Sequence, residues 1–171
     1  QLRQVLEMLA YHVHSETGEK DDAEFTGGTI FDIVERLKIK RVDIPTLKTI
    51  LAQRAGITYE RAPNRYQYAH RSFQEHLAAC YLVGEGRYPQ QIVTELRKSP
   101  ALWRNVMELI PDEAKRQGRD LWELVKALLP DKNAPLPTDL NDPEWYNLYH
   151  GLYHATRLIL NHIPQVDELQ A

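Results

Sequence analysis

His70, Arg71, Ser72 and Glu75 stand together where two local patterns meet. A histidine at a strand end, beside an arginine, can donate a hydrogen bond to an anion, and does so better when protonated. Ser72 followed by Glu75 has the form of a capping box, which would start a helix just past the imidazole. A helix N-terminus at that point favours a phosphate further. The alternative is that His70 bonds a backbone carbonyl within its own domain.

Other residues have chemical potential but lack companions. His150 and His154 lie four apart, with His162 two turns on, a spacing that can hold zinc. No H-E-x-x-H pattern or cysteine pair accompanies them, and two ligands do not close a site. They read as polar or half-buried helix positions, and Trp145, Tyr146, Tyr149 and Tyr153 as packing or interface residues. His12 and His14 fall on different helix faces. Ser72 with His70 and His76 lacks the glycines of a nucleophile elbow. Cys80 is the one cysteine, sits on an apolar stripe and cannot form an internal disulfide, which fits a reducing cytoplasm. Nowhere do two glycines flank four residues and precede Lys and Ser or Thr, and no apolar strand ends in a Walker-B-like Asp. The chain is therefore expected to be non-catalytic, with no metal or cofactor of its own.

The elements that must position these groups follow from periodicity and punctuation. Leu2, Val5, Leu6, Leu9 and Val13 repeat at helical spacing, predicting a helix to about Ser15. Residues 16–26 read as a polar loop. Gly27-Gly28 reads as a stop and Thr29 as the cap of a second helix with Ile30, Ile33, Val34 and Leu37 inward. Asp43 starts a third, with Pro45 in its first turn, Ile44, Leu47, Ile50 and Leu51 on its core face, and Gly56 ending it. Residues 57–61 and 65–68 are β-prone around Ala62-Pro63-Asn64, predicting a hairpin. Phe73, Leu77, Cys80 and Tyr81 form the next helical stripe. Beyond Gly84-Glu85-Gly86 the chain reads as helices at 89–98, 101–117, 120–129 and 143–162. Trp145, Leu148, Leu152, Leu158 and Ile159 form the last stripe, after an irregular connector at 130–143. The fold class is thus mainly α: a winged-helix domain with a small β-hairpin over 1–86 and a helical bundle or short solenoid over 87–171. The first helix can equally belong to a preceding helical domain.

A hydrophobic share of 43% is ordinary for a globular core, and no window is apolar for the length of a membrane span. The opening Gln1-Leu2-Arg3-Gln4 falls inside a helical pattern, so the chain reads as a piece of a longer protein. A net charge of −3 argues against a nucleic-acid binder overall. Yet residues 36–71 hold nine basic side chains against Asp43 and Glu60. Lys48 and Arg54 on the third helix and Arg61 and Arg65 on the hairpin would form a surface for DNA or for docking another domain. A solvated face is the plainer reading.

Leu47 through Arg61, then Arg65-Tyr66-Gln67-Tyr68-Ala69-His70-Arg71-Ser72-Phe73-Gln74-Glu75-His76-Leu77-Ala78-Ala79-Cys80-Tyr81-Leu82, resembles the winged-helix segment that follows the ATPase core in NACHT-domain (STAND-class) signalling NTPases. Tyr68 stands where that family usually has Phe, and His76 where it usually has Tyr. The match is specific over 70–82, moderate over 29–84 and loose beyond 87. The resemblance implies a regulatory fragment of a cytoplasmic signal-transduction ATPase or GTPase. The missing core of the same polypeptide would be its partner, and ADP or ATP with magnesium the cofactor of the full-length protein. It further implies that His70, and less directly Arg71, contacts the ADP phosphate and holds the switch closed, with homo-oligomers forming on activation. A DNA-binding winged helix and a non-catalytic protein-interaction module are the alternatives.

Overall fold

A computed structural model of the chain describes residues 1–17, 24–39, 43–49, 56–84, 86–131, 133, 135–139 and 141–163. It is mainly helical with one small antiparallel sheet, and it divides into two compact units, Gln1–Tyr81 and Leu82–Ala171.

In the first unit α1 (Leu2–Thr17) leads to β1 (Glu24–Thr26), α2 (Gly27–Arg36), α3 (Ile44–Thr49), β2 (Thr58–Ala62) and β3 (Arg65–Tyr68). Helix α4 (Arg71–Val83) follows, and its last two residues fall in the second unit. The hairpin expected from sequence is one part of a three-stranded sheet in the order β1-β3-β2. The loop expected over 16–26 is corrected at both ends: α1 runs to Thr17, and Glu24–Thr26 pairs with β3 so that Phe25 faces Tyr66. Burial of Phe25 against Tyr66 and Tyr68 makes so short a strand worth forming.

β1 ends at Thr26, directly before Gly27-Gly28 as expected, but the two glycines open α2 and Thr29 is not its cap. Thr26, extended at φ −110° and ψ 168°, is the N-cap, and its hydroxyl accepts from the Thr29 amide at 3.3 Å. The Thr29 hydroxyl accepts in turn from the Thr26 amide, so a Thr–Thr pair closes the box. The capping box expected from Ser72 is likewise displaced: α4 begins at Arg71, which puts Ser72 inside the helix. The third helix starts at Asp43 as expected, and Asp43 Oδ2 accepts from the Thr46 amide at 3.0 Å, capping α3. Ile50 and Leu51 lie outside the described residues.

The core joins Val5, Leu9 and Val13 of α1 to Phe25, Ile30, Ile33, Leu47, Tyr66 and Tyr68. Leu2, expected in that stripe, is exposed. On α4, Cys80 is buried and Leu77 and Tyr81 pack against the core as expected, but Phe73 is exposed and Gln74, Glu75, Ala78 and Ala79 are buried as well.

The second unit is built from α5 (Gln90–Lys98), α6 (Pro100–Arg116), α7 (Leu121–Leu128) and α8 (Glu144–His162). Their ends fall within a residue or so of the expected ones, because Pro100 and Gly118 punctuate them and amphipathic stripes run between. Pro100 opens α6 at its first turn, and Gly118 beyond its end has φ +67°. Ile92, Leu96, Val106, Ile110, Leu124 and Leu128 anchor the core. The stripe expected for α8 holds in part: Leu158 is buried and Trp145, Leu148 and Ile159 are half-buried, but Leu152 is exposed and the innermost positions also include Gly151, His154 and Ala155. The cause is close packing. A Cβ on Gly151 would run into the Leu128 carbonyl, so only a smooth helix face fits against α7.

Candidate functional site

The neighbourhood of His70 is built by the hairpin and the start of α4. Ala69 donates its amide to the Ile57 carbonyl at 2.8 Å, holding the end of β3 to the start of β2. Tyr68 is buried, and its hydroxyl donates to the Leu6 carbonyl at 3.4 Å. Burial pushes the Tyr68 phenol well above its ordinary range, so it is a neutral donor throughout. These contacts fix the chain just before His70. His70 itself precedes the first turn of α4, and its carbonyl accepts from the Phe73 amide at 3.1 Å.

The imidazole of His70 is exposed, with the Phe73 ring edge-on at 5.6 Å between centroids. It is thus presented to solvent at a helix N-terminus rather than sealed in a core. Arg71, the expected second contact, is part-buried and directs its Nε to Glu75 at 3.1 Å. That ion pair runs along α4 and engages the guanidinium beside His70.

The expected basic surface is largely spoken for. Arg61 and Arg65 both reach Glu24 of β1, at 3.2 and 2.5 Å. Lys48 Nζ donates to Asn64 Oδ1 at 2.9 Å, tying α3 to the turn between β2 and β3. Asn64 holds φ +61° there and donates its amide to Glu60 at 2.8 Å. A Cβ on Gly27 would meet Lys48 Nζ and Asn64 Oδ1, the ends of movable side chains, so a larger residue there would displace that bridge. Arg54 lies outside the described residues. Sequence reading named Asp43 and Glu60 as the opposing acids and missed Glu24, whose strand carried no local signal.

Among the described residues, no group of three or more His, Cys, Asp or Glu side chains is placed to hold a metal. His150 and His154 stack at 6.4 Å between ring centroids. Burial, then the nearby His150 and Arg157, lowers the pKa of His154 to about 4, which keeps the ring neutral near pH 7. Cys80 is buried, with His76 Nε2 at 3.7 Å from its sulfur. Ser72 is exposed at the start of α4. The groups around His70 fit one contact to a phosphate oxygen, and they do not by themselves enclose a nucleotide.

No family model matches this chain, and no curated protein or solved structure matches it either. No described helix is long and apolar enough to cross a membrane.

Proposed function

We propose that this chain is a regulatory piece of a NACHT-type signalling ATPase. In this reading it holds the switch closed by offering His70 to the phosphate of an ADP bound in the ATPase core of the same polypeptide. The observation that supports it best is the exposure of the His70 ring at the junction of β3 and α4, beside the N-terminal end of that helix. The groups behind it are anchored: Tyr68 to Leu6, Ala69 to Ile57, Arg71 to Glu75. These contacts fix the backbone that carries the ring, which lowers the cost of presenting it to a phosphate. The chain itself does no catalysis and acts in the cytoplasm, where the parent oligomerises on opening.

Two measurements test this. In the full-length protein, His70→Ala should release ADP at least about tenfold faster, the cost of one charge-assisted hydrogen bond. Retention equal to wild type would refute the sensor role. The chain alone should give no micromolar ADP binding by calorimetry, since one donor without a phosphate loop cannot hold a nucleotide.

The DNA-binding alternative is weakened by Glu24, which occupies Arg61 and Arg65. The interaction-module alternative has support of its own in the outer face of α8.

A further inference from the structure

The outer face of α8 has a spacing that the regulatory reading does not use. Tyr146, Tyr149, Tyr153, Thr156 and Leu160 follow one another at intervals of three and four residues, and all are exposed. Tyr146 is 52% exposed, Tyr149 62%, Tyr153 42% and Leu160 66%, with Leu152 at 43% beside them. That is the seam of a coiled coil, two heptads long, turned to solvent. Burying such residues is what the pattern favours, and α8 already buries its opposite face on Gly151, His154, Ala155 and Leu158.

We propose that this seam receives the same seam of a second copy of the chain, the two α8 helices running antiparallel about a two-fold axis near Tyr153. The proposal is independent of the NACHT reading. Three observations choose the occupant. The seam carries no charge, so self-pairing brings no like charges together. Its ends differ: Asp139, Asp142 and Glu144 gather at the N-terminal end, whereas residues 145–163 contain no carboxylate and include Arg157 and His162. Antiparallel pairing sets each acidic N-terminal end against the partner's last helical turns, which carry Arg157 and His162 and precede the next acids, Asp167 and Glu168, and it opposes the helix dipoles; parallel pairing would stack Asp139, Asp142 and Glu144 on their copies. Arg157 is held by Glu108 of α6 and lies over the Tyr153 ring at 5.7 Å, so its charge is already countered at the seam's edge. The exposed seam amounts to roughly 500 Å² per copy, or about 1,000 Å² for a pair, the lower threshold of a specific interface. A weak dimer follows, with a Kd on the order of 10 μM.

Sedimentation equilibrium of the whole chain tests this. The expected result is a concentration-dependent rise from the 19.9 kDa of one copy toward twice that mass. Tyr149→Glu and Leu160→Glu should each raise Kd about 30-fold or more. Lys126→Glu, on an exposed position of α7, should leave it unchanged. Far-UV circular dichroism establishes that each variant is folded. In a Cys80→Ser background, Tyr153→Cys should cross-link to itself under mild oxidation and Tyr146→Cys should not. Single-copy mass up to several hundred micromolar would overturn the proposal, as would a dimer indifferent to the seam variants. Preferential self-linking of Tyr146→Cys overturns the antiparallel order. A seam that stays bare in the pure chain and is covered only by a different added protein overturns the second copy as its occupant.

Discussion

At the scale of single residues, His154 is the group whose chemistry the fold alters most clearly. It is buried against α6, beside a cavity of about 20 Å³ lined by Met107, Glu108, Pro111, Arg157, Leu158 and His162. Its folded pKa of about 4 lies below the ordinary 6.5, so the unfolded chain binds the proton more readily. Its contribution to stability is therefore complete above pH 6.5 and is lost as pH falls from there toward 4. The loss should reach about 2 kcal/mol, less than the full shift implies because the ring is not wholly desolvated. Carboxylates titrate over part of the same range, so the contrast must be with a variant. The midpoint of urea unfolding at pH 5 and pH 7.5 should fall more for the wild type than for His154→Gln. Equal falls would show that the burial of this ring has no proton linkage.

At the scale of elements, what the sequence made legible depended on range. The bounds of α5, α6, α7 and α8 could be read because proline, glycine and an apolar period act within a few residues. Strand β1 could not, since a single buried Phe25 makes no alternating pattern and the strand exists only through its pairing with β3 some forty residues on. The position of His70 between a strand and a helix was legible for the same local reason. The pairing of Arg61 and Arg65 with Glu24 was not. The inner face of α8 was read in part: Leu158 is buried as expected, but Leu152 was taken to point inward and is exposed. Contact with α7 instead demands the absence of a side chain at Gly151, which leaves the tyrosines outside. Gly151→Ala is the direct test. A methyl group there meets the fixed Leu128 backbone rather than a movable side chain, so the helix pair must shift. The expected cost is about 2–3 kcal/mol in denaturant unfolding, against the slight gain that Gly to Ala gives in an unhindered helix. Unchanged or raised stability would mean that α7 and α8 pack less closely than described.

At the scale of the whole molecule, electrostatics separates the two readings of the helix-and-hairpin half. The chain has a net charge of −3 and a pI near 6.2, so its long-range field repels a polyanion. Only a local basic surface can overcome that, and binding through Z phosphate contacts makes log K fall with log salt at a slope of about −0.9Z. Two of the four basic residues named from sequence are ion-paired to Glu24, and Lys48 is bonded to Asn64. Each engaged side chain must give up its partner before it can neutralise a phosphate, which cancels much of what the contact would gain. Duplex DNA in fluorescence anisotropy should therefore show no binding tighter than about 100 μM at 150 mM salt, the weak end of non-specific affinity. Micromolar affinity with a slope steeper than about −4 would reverse this conclusion. Loss of that affinity in Lys48→Ala and Arg61→Ala would assign it to this surface. Glu24→Gln sharpens the question, because freeing Arg61 and Arg65 should raise any residual affinity if their engagement is what suppresses it.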